Sequence, residues 1–185
     1  MKAAILMLAV LLGSLGQAQP EQKPAAETPA ASPADVKSID SIVAALYDVI
    51  SGPAGQKRDW NRFRSLFWPG AHLIPLVTPP GKTGYAARVL SVEDYVTRTD
   101  PFFAKDSFYE SAVANRVEQW AQIAQVFSTY ESRHAKGEKP FARGINSIQV
   151  FNDGQRWWVM NILWESESEQ HPLPEQMLKP PGGKQ

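Results

Sequence analysis

Five polar side chains stand inside otherwise apolar or alternating stretches of this sequence: Tyr47, His72, Asn115, Arg116 and Asn161. Asn161 lies in WWVMNILW, where an amide can orient a ligand through one donor and one acceptor. It can equally be tied to a neighbouring strand. A two-residue turn at Asp153-Gly154 would set Asn146 opposite Asn161, and the two amides could then satisfy each other. Under strict alternation Arg116 shares a face with Ala114, Glu118 and Glu110, where its planar fork of donors could bind a carboxylate or face Glu118 or Gln125 in solvent. Asn115 falls on the opposite face with Val113 and Val117, so only one of these two neighbours can point into a pocket. His72 follows Ala71 on a short strand and could serve as a base near neutral pH, or simply pack at the surface. Tyr47 is off the main apolar stripe of its helix, where a phenol could donate at a cavity mouth or keep its hydroxyl wet.

Other chemistries are excluded or weak. Cysteine is absent, which removes disulfides, thiolate metal sites, a Cys nucleophile and a lipid-modified cysteine. His134 and His171 fall in a loop and in the tail, apart from any acidic cluster with ligand spacing, so we expect no metal site and no cofactor. Gly81-Lys82-Thr83 resembles the end of a phosphate loop but lacks the preceding strand and the earlier glycine. From 108 to 166 the only Asp is Asp153, which is taken up in a turn. The 19 basic and 19 acidic residues balance to a formal charge of zero, unlike the basic footprint of a nucleic-acid binder or a polybasic membrane surface.

The elements that must hold these residues follow from pattern. Residues 1–18 read as a signal peptide: Met1-Lys2, an apolar run from Ala3 to Leu12, and a small-residue exit at Gly16 and Ala18. The run is too short to span a bilayer, so the mature chain is expected to be periplasmic or secreted and free of the membrane. Residues 19–35 are Pro, Ala and polar, and read as a disordered linker. A domain over 36–167 follows, then an irregular tail over 168–185. Ile39, Ile42, Val43, Leu46, Val49 and Ile50 recur at helical steps behind Asp35 and Ser38, each a possible cap. A second helix presents Trp60, Phe63, Leu66 and Phe67 on one side and Arg58, Asn61, Arg62 and Arg64 largely on the other, stopping at Pro69-Gly70. Residues 71–77 read as a short strand confined to an edge or bulge by Pro75. Ser91 and Asp94 open a third helix that ends before Pro101. Strands are expected at about 108–118, 122–133, 143–151 and 156–166.

Three stretches, WNRFRSLFWPGAHL, RVEQWAQIAQVFSTYESR and GINSIQVFNDGQRWWVMNILWESE, together with this element order, resemble the nuclear-transport-factor-2-like superfamily. The resemblance covers residues 35–167 and points to secreted bacterial members of unassigned function. It implies an α+β cone, with three N-terminal helices packed on a curved antiparallel sheet of one short and four long strands. It also implies a working space between the helices and the concave face. Within it, Pro75 occupies the position where isomerases of the family place a carboxylate base, and a proline cannot accept a proton.

The expected function is an apolar pocket for a small hydrophobic or amphipathic molecule. The alternatives are a cyclase, isomerase or dehydratase in the same pocket, or a self-associating module. The last strand is apolar on both faces, Trp157, Val159 and Leu163 against Trp158, Met160, Ile162 and Trp164. Such a surface needs cover, hence a homodimer through the sheet face is expected.

Overall fold

The computed structural model describes residues 28–180. The segment expected to be a signal peptide and the first part of the expected linker lie outside the described residues. Across the boundary expected between linker and domain, Pro33–Val36 forms a short helix, α1, and Asp35 pairs with Arg62 at 2.8 Å.

Helix α2, Ile39–Ile50, starts where Ser38 and Ser41 cap each other: Ser41 N–H donates to Ser38 Oγ at 3.1 Å, and Ser38 N–H to Ser41 Oγ at 2.9 Å. Satisfying the free amides of the first turn fixes the helix start. Its stripe of Ile42, Val43, Leu46, Val49 and Ile50 is buried as the spacing predicts. Helix α3, Trp60–Ser65, is capped by Asp59. It is shorter than the second helix expected from sequence, because Phe67 already begins strand β1, Phe67–Val77. Gly70, at φ +88°, takes the left-handed backbone that lets the chain pass Trp68-Pro69 and stay extended. Short strands β2, Ala86–Ala87, and β3, Leu90–Ser91, lead into α4, Val92–Phe103. The Ser91–Asp94 capping box forms as expected. The helix does not end before Pro101 but carries it in its last turn and closes at Phe103. Continuing the turn buries Phe103, whose ring stacks on Trp60 at 6.0 Å and lies tilted against Phe108 at 5.4 Å.

Strands β4, Tyr109–Trp120, β5, Ile123–Arg133, β6, Ala142–Asn152, and β7, Trp157–Ser166, form the antiparallel meander. The sheet is a curved, open α+β layer in the order β2-β1-β7-β6-β5-β4. Two details differ from expectation. The described residues contain seven strands and four α-helices, and β1 pairs with β7 in parallel, so the sheet is mixed. Pro75, expected at an edge or bulge, pairs with Trp164 of β7. On its other side β1 meets only the two-residue β2 and β3, which leaves room for a residue without an N–H.

The core lies between α2, α3 and α4 and the concave face. Phe63, Phe67, Leu66, Val126, Ile148 and Val159 are among its most completely buried side chains. As far as Pro180 the tail is held against the sheet. Thr129 Oγ1 donates to Met177 O at 2.6 Å, Arg143 pairs with Glu167 at 2.8 Å, and His171 stacks on Tyr85 at 5.4 Å. Among its described residues the one helical piece is a 3-10 turn at Glu175–Leu178.

Candidate functional site

Two bulges decide which side chains face the core. Between Ala112 and Ala114 the β4–β5 register shifts, leaving Val113 as the extra residue. Before the bulge Glu110 pairs with Ser132 and Ala112 with Tyr130; after it Asn115 pairs with Ser128 and Val117 with Val126. Ser132, Tyr130, Ser128 and Val126 are all buried on the concave face. Glu110 and Asn115 therefore face the same way, and Arg116 faces the other. The expectation that Glu110 and Arg116 share a face is corrected, because a one-residue insertion inverts a period of two.

Glu110 is the residue the sequence reading did not single out. As a whole it is half-buried, but its carboxyl group is enclosed. Ser132 Oγ donates to its Oε2 at 2.7 Å. Around it stand Tyr47 from α2, Tyr95 from α4, Tyr130 from β5 and Asn146 from β6, all lining one small cavity of about 90 Å³ with Phe63, Ile148 and Trp164. Burial is the dominant influence and pushes the Glu110 carboxyl up from 4.5 to about 7; the hydrogen bonds from Ser132 and Asn146 act against it. Burial likewise raises the Tyr47 and Tyr95 phenols above their ordinary value, so both stay neutral as hydrogen-bonding groups.

Tyr47 sits deeper than the cavity mouth expected for it, at 6% exposure. Its hydroxyl lies 2.6 Å from Ser128 Oγ and accepts from Asn146 Nδ2 at 3.1 Å. Asn146 of this chain also bonds the Glu110 carboxyl, while the Glu110 backbone N–H donates to Ser51 Oγ behind α2 at 3.0 Å. Outside it, between α2 and β4, opens a groove of about 720 Å³ to which Glu110, Tyr47, Tyr109, Ala112, Asn115 and Ala44 all contribute. Glu110 thus borders both a small interior cavity and a larger groove. The small cavity has room for only a few waters at roughly 30 Å³ each; the groove is in the range of ligand sites.

The other expected site residues do not converge here. Asn161 pairs with His72 of β1 and with Gln149 of β6, not with Asn146, which lies opposite Trp164. The hairpin loop is longer than two residues, since Asn152 pairs with Trp157, and a second register shift follows between Gln149 and Val150. The longer loop moves Asn161 away from Asn146, and the one-residue shift carries it to the convex face. His72 is exposed there between buried Ala71 and Leu73. Arg116 points to the convex face too, where its guanidinium donates to Gln176 O of the tail. Of the five candidates, Tyr47 and Asn115 face the groove. Among the described residues no group of three or more His, Asp or Glu side chains is placed to hold a metal ion.

The fold defines the class. Helices on a curved, unclosed sheet give the nuclear-transport-factor-2-like, cystatin-like cone. A protein of unknown function with a cystatin-like fold from Nostoc punctiforme superposes with a TM-score of 0.53 at 11% identity, over 71% of this chain and 90% of that one. The Kfla4162 protein from Kribbella flavida is similar with a TM-score of 0.51 at 11% identity, over 70% and 88%. An NTF-2-like protein of unknown function from Silicibacter pomeroyi reaches 0.49 at 12% identity, over 71% and 94%. No family model matches the sequence, and no curated protein matches it.

Proposed function

We propose that this chain is an exported cone-fold domain that binds a small amphipathic molecule in the groove between α2 and β4. The observation that carries the reading is the Glu110 carboxyl, enclosed beneath the tyrosines yet bordering a groove of about 720 Å³. A buried ionisable group at the edge of a concavity of this size marks a candidate binding or reaction site. Val43, Ala44 and Ala112 supply apolar wall; Glu110 and Asn115 supply polar anchors.

Native mass spectrometry of the full chain tests it. A copurified or added ligand mass on the wild type, lost when Ala44→Trp fills the groove, supports the reading; a bare chain across a broad metabolite panel overturns it. Export is checked in the same experiment, by a periplasmic or medium form whose mass begins at Gln19.

An enzyme in the same place is the second reading, favoured by a carboxyl that titrates near neutral pH and can both give and take a proton. Self-association is the third. The convex face leaves Trp120 at 79% and Ile123 at 58% exposure beside Met160, and an apolar patch of this kind favours a partner. A monomer in light scattering at micromolar concentration removes the homodimer.

A further inference from the structure

We propose that the free edge of β4 pairs antiparallel with β4 of a second copy of this chain, about a two-fold axis at Val117. The interface is a sheet edge and not the convex face, and it is independent of the ligand reading of the groove.

β4 is the last strand of the sheet and pairs only with β5 among the described residues. Its first residues are covered: Gly52 bridges Phe108, and the Glu110 backbone N–H donates to Ser51 Oγ at 3.0 Å. The bulge at Val113 separates them from residues 114–120, which keep an unbroken register with β5 up to Trp120 and Ile123. The two-residue turn between, Ala121-Gln122, has Ala121 at φ +48°. Such a turn closes on a hydrogen-bonded pair. By alternation Trp120, Glu118, Arg116 and Ala114 bond to β5, and Gln119, Val117 and Asn115 turn their N–H and C=O groups outward. This is an edge that a further strand can complete.

Side chains select the partner and the register. Among the described residues the two buried side-chain polar atoms without a hydrogen-bond partner are Asn115 Oδ1 and Arg116 Nε, neighbours on this edge. Arg116 meets the Gln176 carbonyl, and neither it nor Glu118 has an ion-pair partner among the described residues. An antiparallel pair centred on Val117 sets Arg116 of each copy against Glu118 of the other, Asn115 against Gln119 and Ala114 against Trp120. It also covers Val117, 38% exposed, with its own counterpart. The outward-facing pairs exchange about six backbone hydrogen bonds. Moving the axis one residue either way sets Arg116 opposite Arg116 or Glu118 opposite Glu118, and like charges directly opposed are destabilising. Gln119 brings a donor to the bare oxygen of Asn115 and leaves the Asn115 N–H groups for the groove.

Sedimentation equilibrium of the full chain tests the pairing. Wild type is expected to dimerise with a Kd on the order of 10 µM, as a small interface gives. Arg116→Glu alone and Glu118→Arg alone should each weaken the dimer about tenfold or more, since each turns the facing attractions into repulsions. Mixed in equal amounts the two variants should form a heterodimer of wild-type strength, because residues 116 and 118 then face each other with opposite charge throughout. Val117→Pro removes an N–H that β5 does not use, and should lose the dimer with an unchanged far-ultraviolet circular dichroism spectrum. Single charge variants that dimerise like wild type, or a mixture no stronger than its components, overturn the edge pairing. Dissociation by Met160→Lys while the charge variants stay dimeric overturns it in favour of the convex face. A wild-type chain that is monomeric throughout the micromolar range removes both interfaces, and the groove reading stands.

Discussion

Ser132 Oγ donates a 2.7 Å hydrogen bond to Glu110 Oε2 across the β4–β5 pair, and it joins two residues whose alignment depends on the bulge at Val113. Without that extra residue, either Glu110 would turn to the convex face or Asn115 would leave the groove. One insertion in an edge strand thereby places a carboxyl and an amide on the same side.

The pH dependence of stability follows from Glu110. Its pKa is raised from 4.5 to about 7 in the folded chain, so folding takes up a proton between these values. The stabilisation is complete below pH 4.5 and is lost as pH rises through 7. The cost reaches ~3 kcal/mol at about 1.4 kcal/mol per pKa unit. Urea unfolding at pH 4.5 and pH 8 should show a larger fall in wild type than in Glu110→Gln; equal falls would refute the burial of this group.

Tyr47→Phe removes the hydroxyl shared by Ser128 and Asn146 and leaves both polar groups buried without it. The expected loss is about 1–3 kcal/mol, read as a lower urea midpoint at unchanged m-value. Any ligand affinity in the groove should change less than in Glu110→Gln, since the Tyr47 hydroxyl is directed at Ser128 and Asn146.

Gly144→Ala should be severe. A Cβ there would stand 2.3 Å from Glu165 O and 2.6 Å from the Tyr130 hydroxyl, and the carbonyl belongs to the paired strand β7. Overpacking of this kind costs about 1–3 kcal/mol or more, measurable as a depressed Tm. Gly154→Ala, with open space around the added carbon but φ +97°, tests backbone strain alone and should cost less.

Arg58 holds the end of α2. Its guanidinium donates to Ile50 O, Gly52 O and Gln56 O, each at 2.8 Å, and lies 4.8 Å from the Phe103 ring. Lysine has no planar fork to reach three carbonyls at once. Arg58→Lys should therefore lose about 2–4 kcal/mol through unpaired carbonyls, and a midpoint within experimental error of wild type would contradict this role.

Deleting the chain after Glu167 tests the tail. It would remove the Thr129–Met177 and Arg116–Gln176 bonds and take away Pro172 and Leu173, which line one concavity with Phe127, Ile145 and Leu163. Stability should fall and self-association by light scattering should rise; an unchanged chain in both measurements would mean that the tail covers nothing of consequence.

Much of the fold was legible because it depends on local repetition. The α2 stripe from Ile42 to Ile50, the Ser91–Asp94 cap and the four long strands are set by periodicity, capping and turn residues within a few positions. The site was less so. Asn115 and Tyr47 were named, but His72, Arg116 and Asn161 went to the convex face, and Glu110 was passed over. A strand's alternation tells which residues share a face only while the register is unbroken, and the bulges at Val113 and beside Val150 break it. Arg58 was set on the polar side of its helix, yet it is buried at 6% exposure, because the carbonyls it serves come from a turn that only the folded chain brings to it. The sequence by itself determined the elements, their order and the cone they build, since these follow from short-range chemistry. Only the tertiary structure decided that Glu110 lies beneath the tyrosines with Ser132 beside it, because burial and register are properties of paired strands and not of one strand alone.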